Sequence, residues 1–464
     1  MTAKARVSIV LFGVCAALYF SNGKTLAVRD GYDTLPSRVI PFSILRFHTL
    51  TLDPFRAEFE KYGRPGLSYL IPMNGHLLSY FPIGTALLAV PFYAPDYVRL
   101  RLQGSATPER LFWETRRLEK VTSVLIAALA VVALFHLLLM KVSLRRAAAI
   151  SLVFGLATSV WSVASQMLWQ HGPGVLCLTL GLFFLERASP PVLAAAAAGF
   201  CLGFATTIRP QSALFLLAGL AVIAVRKIPG ARRLPPVAAF AAGAAAIGIV
   251  PLLYNIHYFG NLLGGYSENV PGFRLHYFAQ GAPGLLLSPN RGLLVFTPIA
   301  LLGILGVVWH LRRPGRDPVV TAFSIAAIPF FVAHSAFYNW TGGWTFGPRF
   351  LTELMPILAL ASTPLLPTIR RPTGIALGAL VLWSFLVQAD GAFCYPASNW
   401  NARMKNLEAH AWDFHHVQIL EEFRAWKNQR RRSPAVVAPR KDLLEEHVKN
   451  DEKVPASHLL DLEL

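Results

Sequence analysis

Long apolar runs recur along this chain and restrict its fold more than any other feature. They fall near residues 7–20, 118–140, 147–165, 172–186, 191–208, 211–225, 236–256, 293–311, 319–338, 350–367 and 374–391. Many approach or exceed the roughly 18 residues that a helix needs to cross a bilayer core. Hydrophobic residues make up 54% of the 464 and charged residues 15%, with a mean hydropathy of +0.46. The expected fold class is an all-α polytopic membrane protein with about eleven transmembrane helices.

A net charge of +18 would suit a nucleic-acid partner if it formed one stripe. Instead the basic residues sit in short clusters between apolar runs: Lys4/Arg6, Lys141/Arg145/Arg146, Arg226/Lys227/Arg232/Arg233, Arg312/Arg313/Arg316 and Arg370/Arg371. Lysine and arginine gather on the cytoplasmic side of membrane proteins, so these five clusters should share one face. They do so only if an even number of spans separates each pair. A further apolar stretch, His76–Pro95, breaks that parity when counted as a span. It also carries Pro82, Gly84, Pro91 and Pro95. It is therefore expected as an interfacial or re-entrant helix.

The result is an N-terminus inside and a C-terminus outside. Residues 21–117 form one long first extracytoplasmic loop, within a transmembrane domain of 1–391. The first run resembles a signal peptide but lacks a small-x-small cleavage site before Ser21, so it is read as an uncleaved span. Four cysteines without a C-x-x-C spacing predict neither a disulfide framework nor a cysteine-bound zinc.

The outer side carries the unusual residues. Trp161, Trp169, Tyr254, Tyr258, Tyr338, Trp340 and Trp344 gather there, as an interfacial aromatic belt would. Arg209, Arg274, Arg291 and Arg349 are isolated near span ends, on the side that avoids arginine. A planar guanidinium there suits a phosphate, and snorkelling to lipid headgroups is the competing reading for each. Residues 392–427 turn polar. In "MKNLEAHAWDFHHVQILEEFRAW", Trp412, His416, Ile419, Phe423 and Trp426 recur at helical spacing, predicting an amphipathic helix on the membrane or capping the outer loops. Residues 428–464 mix both charge signs with prolines, the composition of a poorly ordered tail.

Five stretches carry a resemblance. They are "GYDTLPSRVIPFSILR" (31–46), "LSYFPIGTALLAVPFY" (78–93), "TIRPQSALF" (207–215), "FGPRFLTELMPILAL" (346–360) and "AWDFHHVQIL" (411–420). With a short first span and a long acidic first outer loop, the chain resembles the GT-C membrane glycosyltransferases, in their phospholipid-carrier-dependent branch. The likeness implies transfer of one sugar, with inversion, from a polyprenyl-phosphate donor to an extracytoplasmic acceptor that is a glycan, a lipid-linked saccharide or a protein. It also implies a cell-envelope role in the bacterial inner membrane.

In that family a first-loop aspartate is the general base. Asp33, just before Thr-Leu-Pro, matches its position, and Asp30 is the neighbouring candidate. An inverting transfer needs one carboxylate to take a proton and one cationic site for the departing phosphate. Arg209, Arg349, Arg38 and His171 are expected on the phosphate. Glu353, four residues after Arg349, is expected to steady it. His76, Tyr266, Glu268, Arg274 and Arg291 are expected to support the site or shape the acceptor side. For Asp33 a turn-capping role competes, and for Arg38 a structural ion pair. No cofactor is expected to be required, although Asp30 and Asp33 could share a divalent metal. A transporter or flippase of lipid-linked saccharides is the alternative. It should place polar residues at mid-span depth, where these runs have almost none. A non-catalytic assembly factor of envelope synthesis is a third reading.

Overall fold

The computed structural model describes residues 2–22, 32–62, 69–187, 191–225, 234–313, 315–368 and 370–432. Helix α1 (Ala3–Phe20) starts at Thr2, whose hydroxyl accepts from the Ala5 N–H at 3.3 Å, the usual way of satisfying a first-turn donor. A 3-10 turn, Tyr32–Thr34, leads into α2 (Leu35–Phe47). Pro36 sits in the first turn of α2, where its missing N–H leaves no bond unmade. After α3 (Arg56–Tyr62), β1 (Leu70–Met73) and β2 (His76–Ser79) pair antiparallel, Leu70 opposite Ser79. Their turn residues Asn74 and Gly75 have φ of 51° and 81°, the left-handed pair that a two-residue type I′ hairpin requires.

Helix α4 (Gly84–Leu102) follows. The stretch expected as one helix over His76–Pro95 is thus divided. Its first four residues are a strand, and the helix begins only after Pro82. Helix α4 packs on α2 and on α5 (Pro108–Leu138), which opens on the Thr107 hydroxyl and Pro108.

Then come α6 (Leu144–Leu156), α7 (His171–Glu186), α8 (Pro191–Ile208), α9 (Ala213–Val225) and α10 (Leu234–Phe259). Helices α8 and α10 make the most extensive contact in the fold. Gly199 and Gly243 leave no room for a Cβ against the facing carbonyls of Phe240 and Ala196, so the two backbones approach closely. The chain continues through α11 (Phe278–Leu287), α12 (Leu293–Phe296), α13 (Ala300–Arg312), α14 (Pro318–Ser335), α15 (Met355–Ala361), α16 (Arg371–Phe393), α17 (Trp400–Arg403) and α18 (Gln418–Arg432).

Six of these helices (α1, α5, α8, α10, α14 and α16) are long and apolar enough to cross a membrane. Helices α7 and α13 and the segment Pro210–Val225 are apolar but shorter. The two other expected spans are broken. In one, α6 ends at Leu156 and a π turn resumes at Val160, with the Thr158 hydroxyl bonded back to the Phe154 carbonyl at 2.6 Å. In the other, short α15 lies between the 3-10 segments Arg349–Leu354 and Thr363–Thr368. Pro356 and Pro364 sit at the starts of new segments, where a missing N–H is tolerated, and Pro367 lies inside the last one. Among the described residues, six of the eleven expected runs thus form helices long enough to span.

Ion pairs define two levels along the bundle. At one, Lys141 just past α5 contacts Glu186 at the end of α7 (2.6 Å) and Asp317 at the start of α14 (2.7 Å). At the other, the start of α7, the end of α8 and the end of α14 meet the 3-10 segment before α15. Helix α18 is shorter than expected. Residues 404–417 form turns, because the Asp413 carboxylate accepts the N–H groups of His415 (2.8 Å) and His416 (3.0 Å). A local side-chain acceptor of this kind competes with helix.

Candidate active site

Asp33 lies in the 3-10 turn ahead of α2, its side chain 43% exposed, 3.2 Å from Nη1 of Arg349. Arg349 opens the 3-10 segment after Gly347–Pro348, and its side chain is 14% exposed. The guanidinium lies 5.3 Å from the Trp169 ring and 5.7 Å from the Phe350 ring. Stacking of this kind holds an arginine in place without consuming its N–H donors.

Behind this pair sits a second, buried one. Pro210 disfavours helical backbone at Arg209, which ends α8 in an extended conformation (φ −139°, ψ 114°). Its Nη1 donates to Glu353 Oε1 at 2.7 Å and its Nη2 to Nε2 of His334 at 2.8 Å. Nδ1 of His334 lies 2.8 Å from the Phe330 carbonyl, so that nitrogen carries the proton and Nε2 is left to accept. Nδ1 of His171 stands 3.0 Å from both Glu353 Oε1 and Arg209 Nη1. Arg209, Glu353, His171 and His334 are each at most 5% exposed. Phe350 belongs to both pairs, with the Arg209 guanidinium 5.5 Å from its ring.

Three consecutive residues, Trp169, Gln170 and His171, serve three parts of this arrangement. The first stacks under Arg349, the second accepts the Tyr266 hydroxyl at 2.7 Å, and the third meets Glu353. Burial pushes the Tyr266 hydroxyl up to about 12; Arg209, the Gln170 bond and Arg349 pull it back, and Asp33 raises it. Tyr266 is thus a neutral hydroxyl at physiological pH. Trp169 Nε1, Gln170 Nε2 and the Nε atoms of Arg349 and Arg209 are buried donors without an acceptor, an uncommon concentration for one small region.

The other expected residues are placed differently. Glu353 holds Arg209 rather than Arg349. The segment between them is 3-10, turning about 120° per residue, so positions four apart do not share a face. Arg38 is buried and pairs with Glu119 at 3.0 Å. His76 is bound through Nδ1 to Asp53 at 2.6 Å, at the hairpin. Glu268 and Arg274 are exposed in the loop after α10, where Arg274 Nε donates to the Pro271 carbonyl. Arg291 is 0% exposed and meets no solvent. Asp30 lies outside the described residues. Among the described residues, no three His, Cys, Asp or Glu side chains are grouped to hold a metal ion.

The sequence reading missed His334, Gln170 and the use made of Trp169 and Phe350. For His334 a signal existed, since an imidazole within an apolar run is expensive and asks for a partner.

No family model matches the sequence, and no curated protein matches it. Among solved structures, the fold is similar to the apo crystal structure of the Archaeoglobus fulgidus oligosaccharyltransferase, at 13% identity and a TM-score of 0.44, over 91% of this chain and 56% of that one. It is also similar to that protein tethered by a disulfide to an acceptor peptide containing the NVT sequon, at 12% identity and 0.41, over 90% and 55%. The chain thus spans little more than half the length of the oligosaccharyltransferase it matches. At such identities and TM-scores the likeness is one of general helical arrangement, and no site residue is transferred by it.

Proposed function

We propose that this chain is an integral membrane glycosyltransferase that moves one sugar, with inversion, from a polyprenyl-phosphate carrier to an extracytoplasmic acceptor hydroxyl. The observation that carries the reading is the Asp33–Arg349 pair. A half-exposed carboxylate stands 3.2 Å from a guanidinium that lies against two aromatic rings. Nε of Arg349 itself and Nε1 of the adjoining Trp169 are buried donors without an acceptor, which suits a site prepared for an anionic oxygen.

In the proposed step a carboxylate oxygen of Asp33 takes the proton of the acceptor hydroxyl. The acceptor oxygen bonds to the anomeric carbon from the face opposite the phosphate. The bond from that carbon to the phosphate oxygen breaks, and its electron pair stays on the oxygen. Polyprenyl phosphate leaves with the added negative charge, which Arg349 receives. Arg209 stays neutralised by Glu353 and fixes the Phe350 platform from behind. The site end of the bundle is proposed as extracytoplasmic, because the other end carries Lys141 and, through Asp317, the neighbouring Arg316. A lipid phosphate would then present its scissile bond at headgroup depth, level with Asp33.

Transfer from a synthetic polyprenyl-phosphate sugar by the purified protein tests this, comparing wild type with Asp33→Asn and Asp30→Asn. Loss in the first alone supports Asp33 as base, and loss in the second alone moves the role to Asp30. Loss in neither removes both from the chemistry; if both variants also retain lipid flipping in full, the transporter alternative gains. Cysteines placed at Asp33, Tyr80 and Arg145 test the orientation. The first two should label from outside and the third only from inside.

A further inference from the structure

Arg291 is a completely buried cation that no carboxylate meets among the described residues. Its Nη1 donates to the Asn290 carbonyl at 2.7 Å and to Gln418 Oε1 at 2.9 Å. Its Nη2 donates to Asn401 Oδ1 at 2.6 Å and to the Gly343 carbonyl at 3.3 Å. The guanidinium stacks 5.1 Å from the Trp400 ring. Every acceptor is neutral, so the positive charge is shared out but not cancelled, a costly arrangement in an interior. Burial pushes this guanidinium down to about 10, opposed by Tyr395, while the positive charge of Arg349 lowers it further. The two arginines are therefore near enough to feel each other.

What Arg291 and its partners hold is the loop that enters Arg349. Gln418 Oε1 also accepts the Gly347 N–H at 3.3 Å, and its Nε2 donates to the Thr345 carbonyl at 2.9 Å. Asn401 Nδ2 donates to the same carbonyl at 3.0 Å. Gly343, Thr345 and Gly347, alternate residues of "TGGWTFGPR" (341–349), are each gripped from outside the loop. The loop needs this support. Gly342, Gly343 and Gly347 lie at φ of 80°, 66° and 65°, and glycine has little intrinsic preference for such a conformation over others. Asn290 completes the clamp. Its side chain donates to the carbonyls of His410 and Asp413 and accepts the Gln418 N–H at 2.7 Å, tying down the turns before α18.

We infer that Arg291, Gln418 and Asn401 are positioning residues for Arg349. The segment 399–418 returns over the helix ends and sets the glycine-rich loop, so that the guanidinium of Arg349 faces the leaving phosphate. Arg291 adds a second, uncancelled positive charge to the same neighbourhood. This rests on the reading of Arg349 as the phosphate ligand.

The test measures binding of a polyprenyl phosphate against the corresponding polyprenol, using the full-length protein in lipid nanodiscs. Variants are Arg349→Ala, Gln418→Ala, Gln418→Glu, Asn401→Ala and, as a control, Ser384→Ala. Ser384 is buried and accepts the Ile299 N–H at 3.3 Å, so its loss reports on stability alone. Melting temperatures are recorded for each. The wild type should prefer the phosphate, and Arg349→Ala should abolish that preference. Gln418→Ala and Asn401→Ala should each reduce it about ten-fold, the scale of one oriented charge-assisted hydrogen bond. The control should leave it intact at equal loss of melting temperature. Gln418→Glu keeps an acceptor for Arg291 and for Gly347 but loses the donor to the Thr345 carbonyl and cancels the Arg291 charge, so its preference should fall as that of Gln418→Ala does. If Arg349→Ala keeps the preference, the phosphate reading of Arg349 falls and this inference with it. If Arg349→Ala loses it while Gln418→Ala and Asn401→Ala bind as wild type, the positioning role alone is overturned.

Discussion

Asp33–Arg349 and Glu353–Arg209 are both arginine–carboxylate pairs, and both guanidiniums lie within 6 Å of the Phe350 ring. Their settings separate them. The Asp33 side chain is 43% exposed and has room for a substrate hydroxyl, whereas Glu353 is 1% exposed and already engaged by Arg209 and His171. An exposed pair contributes about 0–1 kcal/mol to stability and can be opened by a competing anion. A buried pair is held by what its loss would leave behind. The arginine free to change partners is therefore Arg349, and Arg209 is its foundation.

The largest effect expected from this contrast is on rate. Asp33→Asn should lower sugar transfer by about 10²–10⁴-fold, the usual yield of a positioned base, with little change in melting temperature. Because the carboxylate also competes with phosphate for Arg349, the same variant should bind polyprenyl phosphate more tightly than wild type. Equal or weaker binding would break the idea that the pair opens for the donor.

Glu353→Gln should instead unfold the protein by about 3–5 kcal/mol, since it strands the Arg209 charge in the interior. Adding Arg209→Met to Glu353→Gln should recover part of that loss, as measured by denaturant unfolding. No recovery would mean that the two do not act as a buried pair. Arg349→Lys keeps the charge but loses the planar fork and the stacking on Trp169. A drop of about 10²–10³ in kcat is expected from losing one such donor set, and near-normal kcat would return Arg209 to consideration as the phosphate ligand.

A smaller effect concerns the β1–β2 hairpin. Burial opposes ionisation of Asp53, yet bonds from His76, the Leu77 N–H, Thr51 and Arg56 hold its carboxyl below the usual range. A depressed folded value means that the contribution is present above the ordinary carboxylate range of about 4. It is lost as pH falls through the lower folded value. Asp53→Asn should therefore be less stable than wild type at neutral pH, by under about 1 kcal/mol for so open a cluster, and the difference should vanish in acid, as denaturant unfolding across pH would show. Chelator treatment should have the least effect. Transfer in EDTA should match transfer without it, since the proposed step uses Asp33 and Arg349 alone, and a loss restored by a divalent cation would reject that.

Much of the helical pattern was readable before any coordinates. A lipid environment forces long apolar stretches on the sequence, and all six full-length helices coincide with expected runs. The hairpin is also legible in Asn74–Gly75, although the apolar composition from His76 onward favours helix over strand. The broken spans near residues 157 and 349–368 carried their prolines and threonines in plain view. Within the site, the isolation of Arg209 and Arg349 from the basic clusters marked both, but nothing local distinguished their roles.

Composition and periodicity alone fix an apolar, many-helix chain, with basic clusters between runs and isolated arginines near run ends, because solvation acts on both. Only the tertiary structure decided which carboxylate meets which arginine, that Glu353 turns to Arg209, and that Arg291 grips a loop from within the interior. Those choices bring together residues more than a hundred positions apart, such as Asp33 with Arg349 and Arg291 with Gln418. Hydrogen-bond geometry and burial choose between such partners only after the chain has folded, and neither leaves a periodic trace along it.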